Sequence, residues 1–183
     1  MKIVLASASP RRKELLSTII RDFEVVTAPV EEVRLRSPWR TVMHNAVLKG
    51  SAVKVDADIV VSADTGVFLR GKFFGKPKDA DEAFAMLKAL NGKYHTVWTA
   101  VAVQYKVADM PCIKTVAVHS RVKLCFDSDE AIRAYIATGS PLDKAGAYGI
   151  QGKGSVLVKG IVGDYFNVMG LPVAETARFL GLV

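Results

Sequence analysis

A chain of 183 residues, half of them hydrophobic and 23% charged, has the length and balance of one sizeable globular domain or two closely packed lobes, which excludes two large independent domains. The formal net charge of +7 favours anionic partners. The lysines and arginines come in groups of one to three with no long basic segment, so a small polyanion gathered into one pocket fits better than a stable nucleic-acid complex. No apolar run approaches the ~20 residues of a membrane span. The N-terminal run is too short for a signal peptide, and two cysteines with three scattered histidines form neither a disulfide framework nor a zinc pattern. The expectation is a reduced, cytoplasmic protein with no membrane partner.

The first informative stretch is Leu5 to Leu16, LASASPRRKELL. The apolar run Ile3 to Ala6 reads as a strand, and Ser9 followed by Pro10 reads as the N-cap and first position of a helix whose Leu15, Leu16, Ile19 and Ile20 face the core. Arg11, Arg12 and Lys13 crowd the first turn, where the helix dipole already disfavours cations. Either the patch is simply solvated, or a phosphate held by the free N–H groups and the small residues Ala6 to Ser9 offsets the repulsion.

Phe23 to Thr27 reads as a second strand, leading to the adjacent carboxylates Glu31 and Glu32, which are a solvated pair or metal ligands facing a cleft. Ser37 and Pro38 repeat the helix-start signal for a helix to about Val55. Lys49 lies at the edge of its apolar stripe, either snorkelling or directing its ammonium at an anion. Asp58 to Asp64 reads as a buried strand closed by Asp64-Thr65-Gly66, which puts Asp64 at a strand's carboxyl end, where open α/β sheets bind ligands. Glycine-lysine corners follow at Arg70 to Lys72 and Phe74 to Pro77, then a helix from Asp79 to Leu90 opened by a capping box. Tyr94 to Tyr105 and the alternating Thr115 to Phe126 read as antiparallel strands that leave His119 on the surface. A helix from Ser128 ends at Gly139. The loop Asp143 to Gly154, with four glycines within nine residues, is a weak signal for a phosphate nest. Ser155 to Lys159 and Tyr165 to Val168 read as short strands, and Pro172 to Leu180 as a closing helix.

Five stretches together resemble the Maf family of nucleoside triphosphate pyrophosphatases: LASASPRR, the Glu31-Glu32 pair, Asn45-Ala46 to Lys49, SADTG with FGKP after it, and DKAGAYGIQGKG followed by GDYFNVMGLP. They extend from Leu5 to Pro172, so one domain covering residues 1–183 is expected. The resemblance implies an α/β fold of the Maf/ITPase-like kind, a mixed, elongated, twisted sheet flanked by helices, with two lobes around a deep active-site cleft. It implies release of pyrophosphate from a nucleoside triphosphate, a divalent cation (Mg²⁺ or Mn²⁺), a housekeeping role in removing modified nucleotides, and a link to cell-division arrest. A homodimer is suggested by the resemblance alone. Residue by residue, Asp64 matches the catalytic proton acceptor, and Arg11, Thr65 and Gln151 match specificity positions. Ser7, Arg12, Lys49, Lys76 and Glu31 match the phosphate and metal region. Gly50 departs from the alanine often found after the lysine and is expected to loosen its helix by ~1 kcal/mol.

The chemistry of these residues agrees with the resemblance. Arg11, Arg12, Lys49 and Lys76 offer cations to match a triphosphate, and Glu31 or Glu32 with Asp64 offers oxygen ligands to a metal. Asp64 would orient or deprotonate a water for in-line attack at the α-phosphorus. The amide of Gln151 supplies a donor and an acceptor to the pairing edge of uracil or thymine, whereas a carboxylate suits guanine better, so dTTP and UTP are favoured. The alternatives are a methylguanosine-triphosphate pyrophosphatase and a non-catalytic regulator of septum formation.

Overall fold

The computed structural model describes residues 1–108 and 110–183. Among the described residues, seven strands form one mixed sheet: β1 (Ile3–Ala6), β2 (Glu24–Val26), β3 (Ile59–Leu69), β4 (Lys72–Phe74), β5 (Tyr94–Val107), β6 (Met110–Leu124) and β7 (Val158–Val162). The order is β2-β1-β3-β5-β6-β7, with β4 beside β3. β1 runs parallel to β2 and β3, and every other pairing is antiparallel. Six α-helices among the described residues flank the sheet: α1 (Pro10–Ser17), α2 (Pro38–Ala52), α3 (Ala80–Leu90), α4 (Asp129–Ala137), α5 (Tyr165–Met169) and α6 (Val173–Phe179). The mixed α/β architecture expected from the sequence is therefore present. Among the described residues, no helix is long and apolar enough to cross a membrane.

The register of β3 creates the opening for a site. Its first half pairs with β1 as far as Ala6 opposite Ser62, and its last residues pair with β4 from Val67 opposite Phe74. Residues 63–66 have β5 on one side and neither β1 nor β4 on the other. Asp64 thus does not close its strand, as the sequence suggested. It lies in the middle of an eleven-residue strand, two positions beyond the point where the neighbouring β1 stops. The crevice at a strand's carboxyl end is real, but the strand that ends there is β1.

Alternation along β3 sends successive side chains to opposite faces. Val61, Ala63 and Val67 join the main core with Leu15 and Leu16 of α1, Leu87 and Leu90 of α3 and Ile132 of α4. Ser62 and Asp64 point to the other face, where α2 packs Val42 and Ala46 on Ala100 and Ala102 of β5. The close approach of α2 depends on Gly50. A Cβ there would lie 2.6 Å from Gln104 Nε2 and 2.7 Å from Ser62 Oγ. Those two side chains donate to α2 carbonyls, Ser62 Oγ to Ala46 at 2.7 Å and Gln104 Nε2 to Val47 at 3.0 Å. The glycine that departs from the family pattern therefore sits where sheet and helix are bonded together.

Several local expectations need correction. Tyr165 to Val168 is helical, because Asp164 accepts the Phe166 N–H at 2.8 Å and Gly170, at φ 112°, ends the turn. Residues 152–157 wind into 3-10 turns, and the strand runs only from Val158. Arg70 and Gly71 make the expected turn, and between the two glycine-lysine corners Lys72 to Phe74 adds a short strand against β3. At α1 the Ser9 cap is made, whereas Ser37 makes no side-chain cap bond and Thr41 Oγ1 donates to Ser37 O and Leu35 O instead.

Gly50→Ala should destabilise the protein, because overpacking against Ser62 by ~1–3 kcal/mol outweighs the ~1 kcal/mol gained in helix propensity. Removing the opposing hydroxyl in the Gly50→Ala, Ser62→Ala double variant should recover much of the loss. Denaturant midpoints measure both, and a more stable single variant would contradict the packing argument.

Candidate active site

A cavity of about 690 Å³ opens where β1 ends and β4 has not begun. Its wall includes the β1–α1 turn from Ala6 to Arg12, residues 30 and 32–34, Asn45 and Lys49 of α2, and Asp64 and Thr65 of β3. Gly75 and Lys76, residues 143–145 and 148–151, and the end of α5 complete it. Six cations face three carboxylates among these residues, so the cavity is built for an anion.

The centre is a buried carboxylate and the ammonium that neutralises it. Asp64 is 5% exposed, and Lys49 Nζ lies 2.6 Å from its Oδ1 and 2.7 Å from Glu32 Oε1. Asn45 Nδ2 donates to the other Asp64 oxygen at 3.2 Å and to Val33 O at 3.1 Å, while Asn45 Oδ1 accepts the Val33 N–H at 3.0 Å. One side chain of α2 therefore fixes both the carboxylate and the loop bearing Glu32. Desolvation pushes the Glu32 carboxyl up, but the hydrogen bond and charge of Lys49, with the charges of Lys76 and Arg12, hold it below its ordinary value. Of the adjacent pair, Glu32 lines the cavity; Glu31 is exposed and is not part of its wall.

Arg12 is the second fixed point. Its Nε donates to Gly170 O at 2.8 Å and its terminal nitrogens to Ser7 Oγ at 3.2 Å and Thr65 Oγ1 at 3.0 Å, tying the β1–α1 turn to β3 and to the end of α5. Burial pulls the guanidinium below the ordinary arginine range, opposed by the charges of Asp64 and Glu32. Three of its five N–H groups are used in this way, which leaves two for a ligand. Ser7 Oγ also accepts the Ser9 N–H at 3.2 Å, shaping the turn. Thr65 Oγ1 is held further by Thr99 Oγ1 at 3.0 Å.

The remaining expected residues stand around the rim. Arg11 lies 3.9 Å from Asp143, Lys76 is exposed and makes no ion pair among the described residues, and the Gln151 amide has no hydrogen-bond partner among them. The structure thus gathers Ser7, Arg11, Arg12, Glu32, Lys49, Asp64, Thr65, Lys76 and Gln151 around one cavity and leaves out Glu31. Sequence reasoning missed Arg34, whose guanidinium sits 4.8 Å over the Phe73 ring on the cavity wall, and Lys144, paired with Asp143 at 2.5 Å. Arg34 lies in no stretch with a spacing that marks it out, and Lys144 belongs to the stretch DKAGAYGIQGKG without having been singled out within it. Asn45, quoted only as part of a segment, makes the contact that organises the centre.

Among the described residues, no cluster of three or more His, Cys, Asp or Glu side chains could hold a metal alone. Glu32 and Asp64 converge on one ammonium, however, and two carboxylates completed by phosphate oxygens and water are a sufficient donor set for a cation such as Mg²⁺.

A family profile described as Maf-like protein matches residues 2–183. A dTTP/UTP pyrophosphatase of Bacillus cytotoxicus is 48% identical over 98% of this chain and 94% of its own length. One from Dictyoglomus thermophilum is 46% identical with the same coverage. Among solved structures, the Staphylococcus aureus Ham1 protein superposes with a TM-score of 0.54, covering 99% of this chain and 98% of its own at 16% identity, which is a likeness of fold alone.

The lowered pKa of Glu32 gives the site a pH signature. A carboxyl whose native pKa lies below the unfolded value of 4.5 contributes stability that is present above pH 4.5 and is lost as pH falls through the native value. Glu32→Gln should therefore flatten the acid limb of the stability curve. Urea midpoints for both proteins across the acid range provide the check, and parallel curves would show that Lys49 does not hold Glu32 ionised.

Proposed function

The chain belongs to the Maf family, and from that premise we infer that it hydrolyses nucleoside triphosphates, dTTP and UTP foremost, to the monophosphate and pyrophosphate. The observation that carries this reading is Asp64, buried and pinned at the bottom of a cation-lined cavity large enough for a nucleotide.

In the mechanism we propose, Asp64 takes the proton of the attacking water. Asn45 and Lys49 each occupy one of its oxygens, and a carboxylate has about four lone-pair sites, so acceptor capacity remains for the water. The two hydrogen bonds fix the carboxylate plane, and therefore the direction from which water approaches the α-phosphorus. The two free N–H groups of Arg12, the β1–α1 turn and Lys76 receive the phosphate oxygens, whose charge they offset as pyrophosphate departs. Glu32 and Asp64 would hold a divalent cation; when bound, it neutralises phosphate charge and acidifies water. No serine or cysteine is drawn into this scheme as a nucleophile, because the cavity hydroxyls of Ser7 and Thr65 face a guanidinium that cannot act as a base.

Gln151 is assigned to the base. Its amide is free among the described residues at the mouth of the cavity and can offer a donor to a pyrimidine carbonyl and an acceptor to the ring N–H. The inferred setting is the cytoplasmic nucleotide pool, where the same activity removes modified pyrimidine triphosphates.

Asp64→Asn keeps the shape and the Asn45 contact but removes the base, so kcat on dTTP should fall by ~10² or more in a protein that still folds. Phosphate released through added inorganic pyrophosphatase measures it, and near-normal turnover would remove Asp64 from the mechanism. Gln151→Glu should lower kcat/KM for dTTP and UTP by roughly 10- to 100-fold relative to GTP, since a pyrimidine carbonyl would then face a carboxylate. Identical ratios in both proteins would end the assignment of Gln151 to the base.

A further inference from the structure

Three side chains that take no part in this chemistry meet at the loop bearing Gln151, with Tyr148 in the cavity wall and His95 and Tyr135 outside its lining. Tyr135 of α4 accepts the Gly149 N–H on its hydroxyl at 3.0 Å. The Tyr148 hydroxyl lies 2.7 Å from Nε2 of His95 on β5, with the two rings edge to face at 5.2 Å. His95 is 1% exposed; burial pushes its imidazole down to about 4 and the Tyr148 phenol up, so both are neutral at neutral pH. A neutral pair buried in a core holds position without holding charge.

The loop between these anchors needs holding. Ala147 sits at φ 60°, a left-handed conformation that a residue with a Cβ rarely adopts and that persists only where its surroundings over-determine it. Immediately before it, Gly146 donates its N–H to Gly75 O at 2.9 Å, fixing the start of the segment. At the far end the chain folds back so closely that a Cβ on Gly154 would lie 2.1 Å from Gly149 O and 2.9 Å from the Tyr135 hydroxyl. Gln151 is carried at the turn between these contacts, three residues beyond Tyr148 and two beyond Gly149.

We propose that His95, Tyr148 and Tyr135 are positioning residues for base selection, holding the 146–154 loop so that the Gln151 amide meets a pyrimidine edge at a fixed place. This rests on the reading of Gln151 as the base contact. The phosphate-facing residues Arg12, Lys49 and Lys76 are held by other bonds or by none, so losing an anchor shifts base recognition and leaves phosphate recognition intact.

Tyr135→Phe and Tyr148→Phe each remove one oxygen and keep the ring in the core, and His95→Gln keeps a polar partner for Tyr148. Calorimetric titration with dTMP, GMP and inorganic pyrophosphate tests them with probes that hold no α,β-phosphoanhydride of a nucleotide to cleave. Each Phe variant should bind dTMP about three- to tenfold more weakly, with GMP and pyrophosphate within about twofold of the original, the change expected for one lost buried hydrogen bond. With dTTP the loss should fall on KM while kcat is kept, and His95→Gln should retain more dTMP affinity than Tyr148→Phe. Unchanged dTMP affinity in both Phe variants overturns the proposal, as does a parallel weakening of all three probes. Original protein that hydrolyses no triphosphate sinks the pyrophosphatase reading alone, because the binding ratios still decide the role of the loop.

Discussion

A carboxylate with 5% exposure in the middle of a strand survives only if an opposite charge and hydrogen bonds replace the water it has lost, and Asp64 receives both from a single helix. Lys49 supplies the charge and Asn45 the second hydrogen bond, from positions four residues apart on α2, which places them one above the other on the face turned to β3. That geometry holds only while α2 lies close against the sheet. Gly50 permits the approach, and the bonds from Ser62 and Gln104 to α2 carbonyls fix it. Packing between helix and sheet is thus set by the need to neutralise one carboxylate, and the loop with Glu32 follows through Asn45 and the shared Lys49.

The opposite wall is organised by a second charge, the half-buried Arg12. Arg12 starts in the first turn of α1, where the dipole disfavours it, and is compensated by Gly170 O, Ser7 and Thr65 rather than by a carboxylate in direct contact. The two systems are complementary. One sets a carboxylate against the ammonium that neutralises it, and the other holds a cation whose direct partners are neutral, so no contact cancels its charge. Between them lies the gap in the pairing of β3, which costs the sheet four residues of edge hydrogen bonding on one side and provides the entrance.

Much of this was legible in the amino-acid order. The α1 cap, the α3 capping box, the stripe of α2 and the surface position of His119 follow from local rules that act within a few residues. The motifs around Ser7, Arg12, Lys49, Asp64, Lys76 and Gln151 pointed to one anion site, and all six line the same cavity. β-forming composition misled at Tyr165 to Val168, where the Asp164 cap and the Gly170 stop make a helix that also buries Asn167 against Ser120 and Val97 O, 47 and 70 residues away.

The sequence by itself determined the kinds of groups in the site and the family they belong to, because charge, capping and helical spacing are properties of neighbouring residues. Only the tertiary structure decided which of Glu31 and Glu32 faces the cavity, since that depends on the reach of Lys49 and the Asn45 clamp on Val33. It also decided that Asp64 lies two positions past the end of β1 rather than at the end of its own strand, because strand pairing is a relation between segments more than fifty residues apart. Likewise, His95 and Tyr135 reveal nothing in their own neighbourhoods. Their hydroxyl and imidazole acquire meaning when folding carries the 146–154 loop onto them and leaves those polar atoms no water to bond to.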